Sequence, residues 1–215
     1  MIKGVIFDMD GVITDNKEQD FLAWKRVFAD FNLDLNMDGY KSFTGMKGED
    51  IVSKYIKLDA NEEERASLTF RKEEYFIEEI ERTGIELTEG IDKFLKDLKR
   101  NGIKMAVGTA AMRFKANAIL TKLGVSEFFE IIVCGEDVSK GKPDPETYLK
   151  AAKLLNLKEE ECVVIEDAPN GIKAAKDGGI KCIGITTTHK KEELGQADKI
   201  IDSFNELNVE EIILL

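Results

Sequence analysis

The 215-residue sequence predicts a doubly wound α/β sheet interrupted after its first strand by a small helical domain. Three observations predict it. Short, continuously apolar runs recur along the chain, amphipathic segments of helical period lie between them, and residues 16–85 contain no strand-like run.

Val5-Ile6-Phe7 is the first apolar run. A strand that is apolar throughout, rather than alternating, suits a parallel sheet covered on both faces. After a turn, the pattern changes. Trp24, Val27, Phe28 and Phe31 form one helical stripe, and the heavily charged stretch from Asn61 to Arg82 forms a second, less regular helix. This block is expected to be a separate domain over residues 16–85, entered near Thr14–Lys17 and left near Thr83–Glu89, with the two crossings close together as a hinge needs. Residues 1–15 and 86–215 then form the α/β core. There, Ile91, Phe94, Leu95 and Leu98 stand at i, i+3, i+4, i+7, with Gly102 as a stop. Ile103–Val107 and Ile131–Val133 follow as strands. Tyr148, Ala151, Ala152 and Leu155 repeat the helical spacing, and Val163–Ile165 and Cys182–Ile185 complete five strands. There is no internal repeat and no low-complexity tract.

Composition excludes several classes. Charged residues make up 34% of the chain, above the ~25% usual for globular proteins, around an ordinary apolar content of 43%. The net charge of −11 repels polyanions and argues against nucleic-acid binding. A phosphorylated substrate would need a local cation or a metal to overcome that field. No apolar run approaches the ~18 residues that span a bilayer. The opening MIKGVIFDMDGV is cut by Asp8 and Asp10 and does not read as a signal peptide. Cys134, Cys162 and Cys182 each adjoin a strand-like run, as expected of buried free thiols in a reducing cytoplasm.

Four segments could carry chemistry, and each lies at the carboxyl end of an expected strand, where such sheets bind ligands. Asp8-Met9-Asp10-Gly11-Val12 sets two carboxylates one residue apart, with Gly11 turning backbone N–H groups toward an anion. The pair reads either as a site for a hard cation or as an Asx turn closing a strand. Gly108-Thr109-Ala110-Ala111 offers a hydroxyl and adjacent N–H groups at a helix start, either a phosphate cradle or an ordinary cap. In Lys142-Pro143-Asp144-Pro145, Pro143 holds Lys142 extended and so aims it, unless the lysine is merely solvated. Asp144 and Pro145 read as N-cap and first helical residue. Glu166-Asp167-Ala168-Pro169-Asn170-Gly171 places adjacent carboxylates at a strand end, as metal ligands or as a helix cap. One sheet would gather all four sets into one crevice, with a nucleophile, a proton carrier, a cation, a hydroxyl and metal ligands, the parts of a phosphoryl-transfer site.

DMDGV, the Thr109 segment, KPDP and the Glu166-Asp167 pair, in that order, resemble the four motifs of the haloacid dehalogenase-like phosphatases. DMDGVITD, KPDPETY and IEDAPNGI look most like the subgroup holding β-phosphoglucomutase and small-metabolite phosphatases. The resemblance covers nearly the whole chain and implies a Rossmann-like core, with residues 16–85 as a helical cap. It implies Asp8 as the nucleophile that becomes an aspartyl-phosphate, and Asp10 as the acid that protonates the leaving oxygen and then activates water. Thr109 and Ala110 would bind phosphoryl oxygens, with Gly11 and Asn170 as further substrate contacts, and Lys142 would offset charge. Mg²⁺ would be held by Asp8, the Asp10 carbonyl, Asp167 and Glu166, the last directly or through water. Asp10 also argues against dehalogenase chemistry.

The cap departs from the mutase pattern. Asp20 replaces a histidine, and Thr44-Gly45-Met46-Lys47-Gly48 lacks the first lysine and the arginine of a KGxxR segment. Lys25 and Lys47 are candidate substrate contacts or plain solvated charges; Trp24 reads foremost as cap core. His189, the only histidine, reads foremost as a surface residue. The expectation is a monomeric, cytoplasmic, Mg²⁺-dependent phosphatase of a small phosphorylated metabolite such as a sugar phosphate, with no nucleic-acid or membrane partner. A phosphosugar mutase and a catalytically idle binding protein are the alternatives.

Overall fold

The computed structural model describes residues 1–215. Six strands form one parallel sheet: β1 (Gly4–Phe7), β2 (Lys104–Gly108), β3 (Ile131–Val133), β4 (Cys162–Glu166), β5 (Lys181–Ile185) and β6 (Lys199–Ile201). Their order is β3-β2-β1-β4-β5-β6. The chain therefore builds outward from β1 to β3, then crosses back and builds outward from β4 to β6. The switch between the two directions falls at β1 and β4, where open α/β sheets bind ligands. Register makes this concrete. Phe7 lies beside both Val107 and Ile165, so the residues that follow all three emerge at one level of one edge.

Helices α5 (Ile91–Arg100), α6 (Arg113–Lys122), α7 (Glu146–Leu154), α8 (Pro169–Asp177) and α9 (Val209–Leu214) cover the sheet. All four residues of the α5 stripe are buried. They pack on one sheet face, where Phe7 meets Phe94 and Phe129 edge to face at centroid separations of 6.3 and 5.8 Å. Tyr148, Ala151, Ala152 and Ile172 fill the other face. The uninterrupted apolar runs thus mark strands buried on both sides.

Between β1 and α5 stand α1 (Lys17–Ala29), α2 (Met37–Lys41), α3 (Gly48–Ile51, continued by a wider turn over Val52–Ile56) and α4 (Glu62–Thr83). Asn61 and Glu64 cap α4 reciprocally. These helices enclose an apolar cluster around Phe43, whose ring meets Trp24, Phe28, Tyr40 and Tyr55. The helices are not packed only on themselves, since Ala23, Phe76 and Ile80 join the sheet's cluster. The two connecting segments run side by side: Thr14 bridges Leu87, and Thr88 N–H donates to Ile13 O at 3.0 Å.

Four details differ from the sequence reading. β6 was not anticipated, because Lys199-Ile200-Ile201 is too short an apolar run to register as a strand. Helix α6 starts at Arg113, so Thr109 sits in a loop ahead of it rather than at its start. In α7, Pro145 occupies the N-cap position and Asp144 Oδ1 accepts from Glu146 N–H at 3.0 Å, one residue later than expected. His189 is buried rather than exposed, with Nδ1 3.0 Å from Asp167 O and Nε2 3.3 Å from Lys41 O. All three cysteines are free and buried, and burial pushes the Cys134 and Cys162 thiols up to about 12. No helix is long and apolar enough to cross a membrane.

Candidate active site

The edge at the ends of β1, β2 and β4 collects Asp8, Thr109 and Glu166-Asp167, and Lys142 reaches in from the loop before α7. All are buried. Lys142 Nζ lies 2.6 Å from Asp8 Oδ1 and 2.9 Å from Glu166 Oε1. The Lys142–Pro143 peptide is cis. Burial pushes Asp8's carboxyl up and Lys142 pulls it down, leaving it at about 7. Burial works against charge on Lys142, but Asp8 and Glu166 hold its pKa above the usual lysine value.

Glu166 is saturated. Besides Lys142, its Oε1 accepts from Tyr148 OH at 2.8 Å, and its Oε2 accepts from the N–H groups of Asp167 and Ala168 at 2.8 Å each. Four donors fill the roughly four lone-pair positions of a carboxylate. Asp167 is the reverse case: burial, with Glu166 and Asp8 close by, holds its carboxyl well above the usual range, against the weaker pull of the Thr188 hydroxyl and Lys142. Two glycines make room for these acids. A Cβ on Gly11, whose φ is +83°, would strike the Asp167 carboxylate, and one on Gly171 would strike that of Glu166.

Asp8, Glu166 and Asp167 bring carboxylate oxygens within 4.8 Å of one another. With Asp10, Asp20 and Glu73 nearby, six carboxylates face the ammoniums of Lys72, Lys115 and Lys142 alone. A donor set of oxygens with excess negative charge and an under-partnered Asp167 fits a hard divalent cation.

Backbone groups add an anion site. The N–H groups of Met9, Asp10 and Ala110 make no hydrogen bond within the protein; Met9 and Asp10 directly follow Asp8 in the chain, and Ala110 lines the same cavity as Asp8. Thr109 Oγ1 accepts from Ala111 N–H at 3.1 Å, which leaves its own proton free to donate. Asp10 turns into the seam between α1 and α6, where Asn16 Nδ2 at the start of α1 donates to its Oδ1 and Lys115 Nζ on α6 donates to its Oδ2, the latter at 2.9 Å.

The structure brings together Asp8, Asp10, Gly11, Thr109, Ala110 and Asp167 around one cavity of about 70 Å³, with Lys142 and Glu166 directly behind it. It does not bring the remaining three candidates there. Lys25 is exposed on α1, its ammonium over the Phe21 ring. Lys47 turns away and donates to Val138 O at 3.2 Å. Asn170 Nδ2 donates to Thr44 O at 3.0 Å, tying α8 to the loop after α2 rather than facing the cavity. Trp24 serves both the cluster around Phe43 and the cavity wall. Sequence reasoning missed Lys72, Glu73 and Lys115, which line the cavity. The available signal was position, since Lys72 stands in the buried stripe Leu68, Phe76, Ile80, and Lys115 stands one turn before Ile119 on the buried face of α6.

The chain is similar to known proteins along most of its length. The family model for haloacid dehalogenase-like hydrolase matches residues 5–185. The chain is 30% identical over 214 residues to a validoxylamine A 7'-phosphate phosphatase of Streptomyces hygroscopicus subsp. limoneus, covering 96% of each. It is 32% identical over 215 residues to a β-phosphoglucomutase of Bacillus subtilis, covering 97% of this chain and 93% of that one. The crystal structure of a β-phosphoglucomutase from Clostridium difficile superimposes with a TM-score of 0.86 at 30% identity, over 99% of this chain and 96% of the other. This chain belongs to the haloacid dehalogenase-like hydrolase family.

Proposed function

We propose that the protein is a Mg²⁺-dependent phosphatase of a small phosphomonoester such as a sugar phosphate, working through an aspartyl-phosphate. The observation that carries this reading is Asp8: a buried carboxylate with one oxygen held by Lys142, set between free backbone N–H groups and a second carboxylate, Asp10.

The Met9, Asp10 and Ala110 N–H groups and the Thr109 hydroxyl hold the phosphoryl oxygens. Lys142 fixes Asp8 Oδ1, so that Oδ2 forms the bond to phosphorus as the ester P–O bond breaks. Asp10 gives its proton to the departing oxygen, and the alcohol leaves. The same carboxylate then takes a proton from a water that attacks the aspartyl-phosphate, which releases inorganic phosphate and restores Asp8. Asp8, the Asp10 carbonyl and Asp167 would hold the Mg²⁺, which neutralises carboxylate charge and polarises the phosphoryl group. Glu166, with every lone pair engaged by protein donors, acts through Lys142, which it holds beside Asp8.

A cavity of about 70 Å³ is far below the ~300–1,000 Å³ of sites that enclose drug-sized ligands. Substrate entry therefore requires the helices of residues 16–85 to swing away from the sheet, about the paired segments at Thr14 and Thr88. The mutase reading has less support. It needs cations in the cap that grip a second phosphate, and here Asp20 is bound by Lys72 and Lys47 is engaged elsewhere. The test is ³¹P NMR of enzyme and Mg²⁺ with sugar monophosphates, including β-glucose 1-phosphate with and without a hexose bisphosphate. Steady release of inorganic phosphate is expected. Faster accumulation of glucose 6-phosphate would establish the mutase, and no turnover of any ester would leave a binding protein.

A further inference from the structure

Helix α6 sends one lysine into the seam between the sheet and the inserted helices. Lys115 is 1% exposed, and its ammonium faces carboxylates from two sides. On the sheet side it donates to Asp10 Oδ2 at 2.9 Å. On the helical side it lies 3.3 Å from Asp20 Oδ1 and 3.6 Å from Glu73 Oε2, and 3.9 Å from the centre of the Phe76 ring. Lys72, on α4, bonds the same Asp20 and lies 3.4 Å from Glu73, closing a five-membered ionic network. At the rim of this seam, the Phe114 ring on α6 meets the Phe70 ring on α4 at a tilt of 44°, with centroids 5.5 Å apart.

We propose that Lys115 is a positioning residue for Asp10, and that Asp20 and Glu73 of the helical block hold Lys115 in place. The inference rests on the phosphatase reading and adds a link between the two parts of the molecule. An aspartate in a turn has free rotation about two side-chain bonds. Asn16 and Lys115 each take one of its oxygens and fix both rotations. Asn16 belongs to the connecting segment, but Lys115 is a long chain on a different helix. A lysine stem loses much rotamer freedom when it is ordered, and a single surface ion pair does not offset that. A buried ammonium with three acceptors and an aromatic face does. Docking of α1 and α4 supplies two of those acceptors and the ring. The acid is thus aimed when the helices are seated, which is when the cavity is closed to bulk water.

A group that acts through Asp10 has a kinetic signature that a structural one lacks. Alkoxide is a poor leaving group and needs the proton of Asp10, whereas p-nitrophenolate leaves without one. The ratio kcat/KM reports only steps through departure of the alcohol. The experiment compares wild type and Lys115→Met, with Mg²⁺, on p-nitrophenyl phosphate and on the sugar or polyol phosphate that the wild type hydrolyses fastest. Methionine keeps the apolar stem and removes the charge. The expected result is a loss of about 10²-fold or more in kcat/KM for the alkyl ester, within the ~10²–10⁴-fold worth of general acid catalysis, and less than about threefold for p-nitrophenyl phosphate. Equal losses on both esters would overturn the inference and leave the phosphatase standing. A wild type that hydrolyses neither ester would overturn both. Should Lys115→Met lack a cooperative melt, Glu73→Gln decides. A smaller loss confined to the alkyl ester supports the link, and a uniform loss or none refutes it.

Discussion

Replacing Lys142 with methionine should destabilise the metal-free protein in a way that depends on both pH and metal. The side chains of Lys142, Asp8 and Glu166 are 0%, 7% and 0% exposed. Removing one partner from a buried ion pair costs about 3–5 kcal/mol, because it leaves the other charge uncompensated. Glu166 keeps Tyr148 OH and two backbone N–H donors, so most of the loss falls on Asp8. Asp8 titrates near 7 in the native protein, above its unfolded value of 3.8. A raised native pKa means that its contribution to stability is fully present below about 3.8 and is lost as pH rises through about 7. Deleting Lys142 removes the group that holds this pKa down, so the penalty grows at neutral pH and shrinks on acidification. Thermal unfolding followed by circular dichroism in EDTA checks this. A chain of this size loses roughly 2–4 °C per kcal/mol, so a drop in Tm of about 6–20 °C is expected at pH 8. The drop should be smaller at pH 5, and Mg²⁺ at pH 8 should recover part of it. A loss under about 1 kcal/mol at pH 8, or one equal at pH 5 and pH 8, would show that Lys142 does not compensate Asp8.

Asp8→Asn should abolish phosphate release while leaving the melting profile cooperative, because an amide does not attack phosphorus; activity within tenfold of wild type removes Asp8 as nucleophile. Activity should require Mg²⁺ and fail in Ca²⁺, whose longer and more numerous bonds draw Asp8 into bidentate binding; equal initial rates with the two metals contradict that geometry. Asp20 offers a test at acid pH. Burial pushes its carboxyl up, but Lys72 and Lys115 outweigh burial and lower it to about 2. Its contribution, about 2 kcal/mol, is present above pH ~4 and lost as pH falls through ~2, so Asp20→Asn should be less stable than wild type at pH 6 and converge with it near pH 2 in urea titrations.

The sheet was legible because burial on both faces forces unbroken apolar runs, as in Val163-Val164-Ile165. The short edge strand β6 carries too little of that signal. The site's core was legible for a related reason. A strand end followed by acids or by Gly-Thr has few positions in a parallel sheet, so order along the chain became proximity in space. The helical side of the cavity was not legible from lysine count or exposure. Lys25 and Lys47 looked available and are turned elsewhere, while Lys72 and Lys115 were hidden inside apolar stripes, where a charge is costly unless paired. Their partners, Asp20, Glu73 and Asp10, are contributed by other segments. The burial of His189 was hidden for a similar reason, since its neighbours are Asp167 O on a separate loop of the sheet edge and Lys41 O across the seam.

The native thiols simplify observation of the moving parts. Cys134, Cys162 and Cys182 are buried and held protonated, so maleimide dyes will ignore them in the folded protein. Phe70 and Phe114 face each other across the seam and are 46% and 40% exposed. A Phe70→Cys, Phe114→Cys variant therefore accepts a spin label or fluorophore at each edge without any background mutations. Pulsed electron resonance or energy transfer on that one variant would report the separation of the two edges in solution, with and without phosphate analogues, as a distribution of distances.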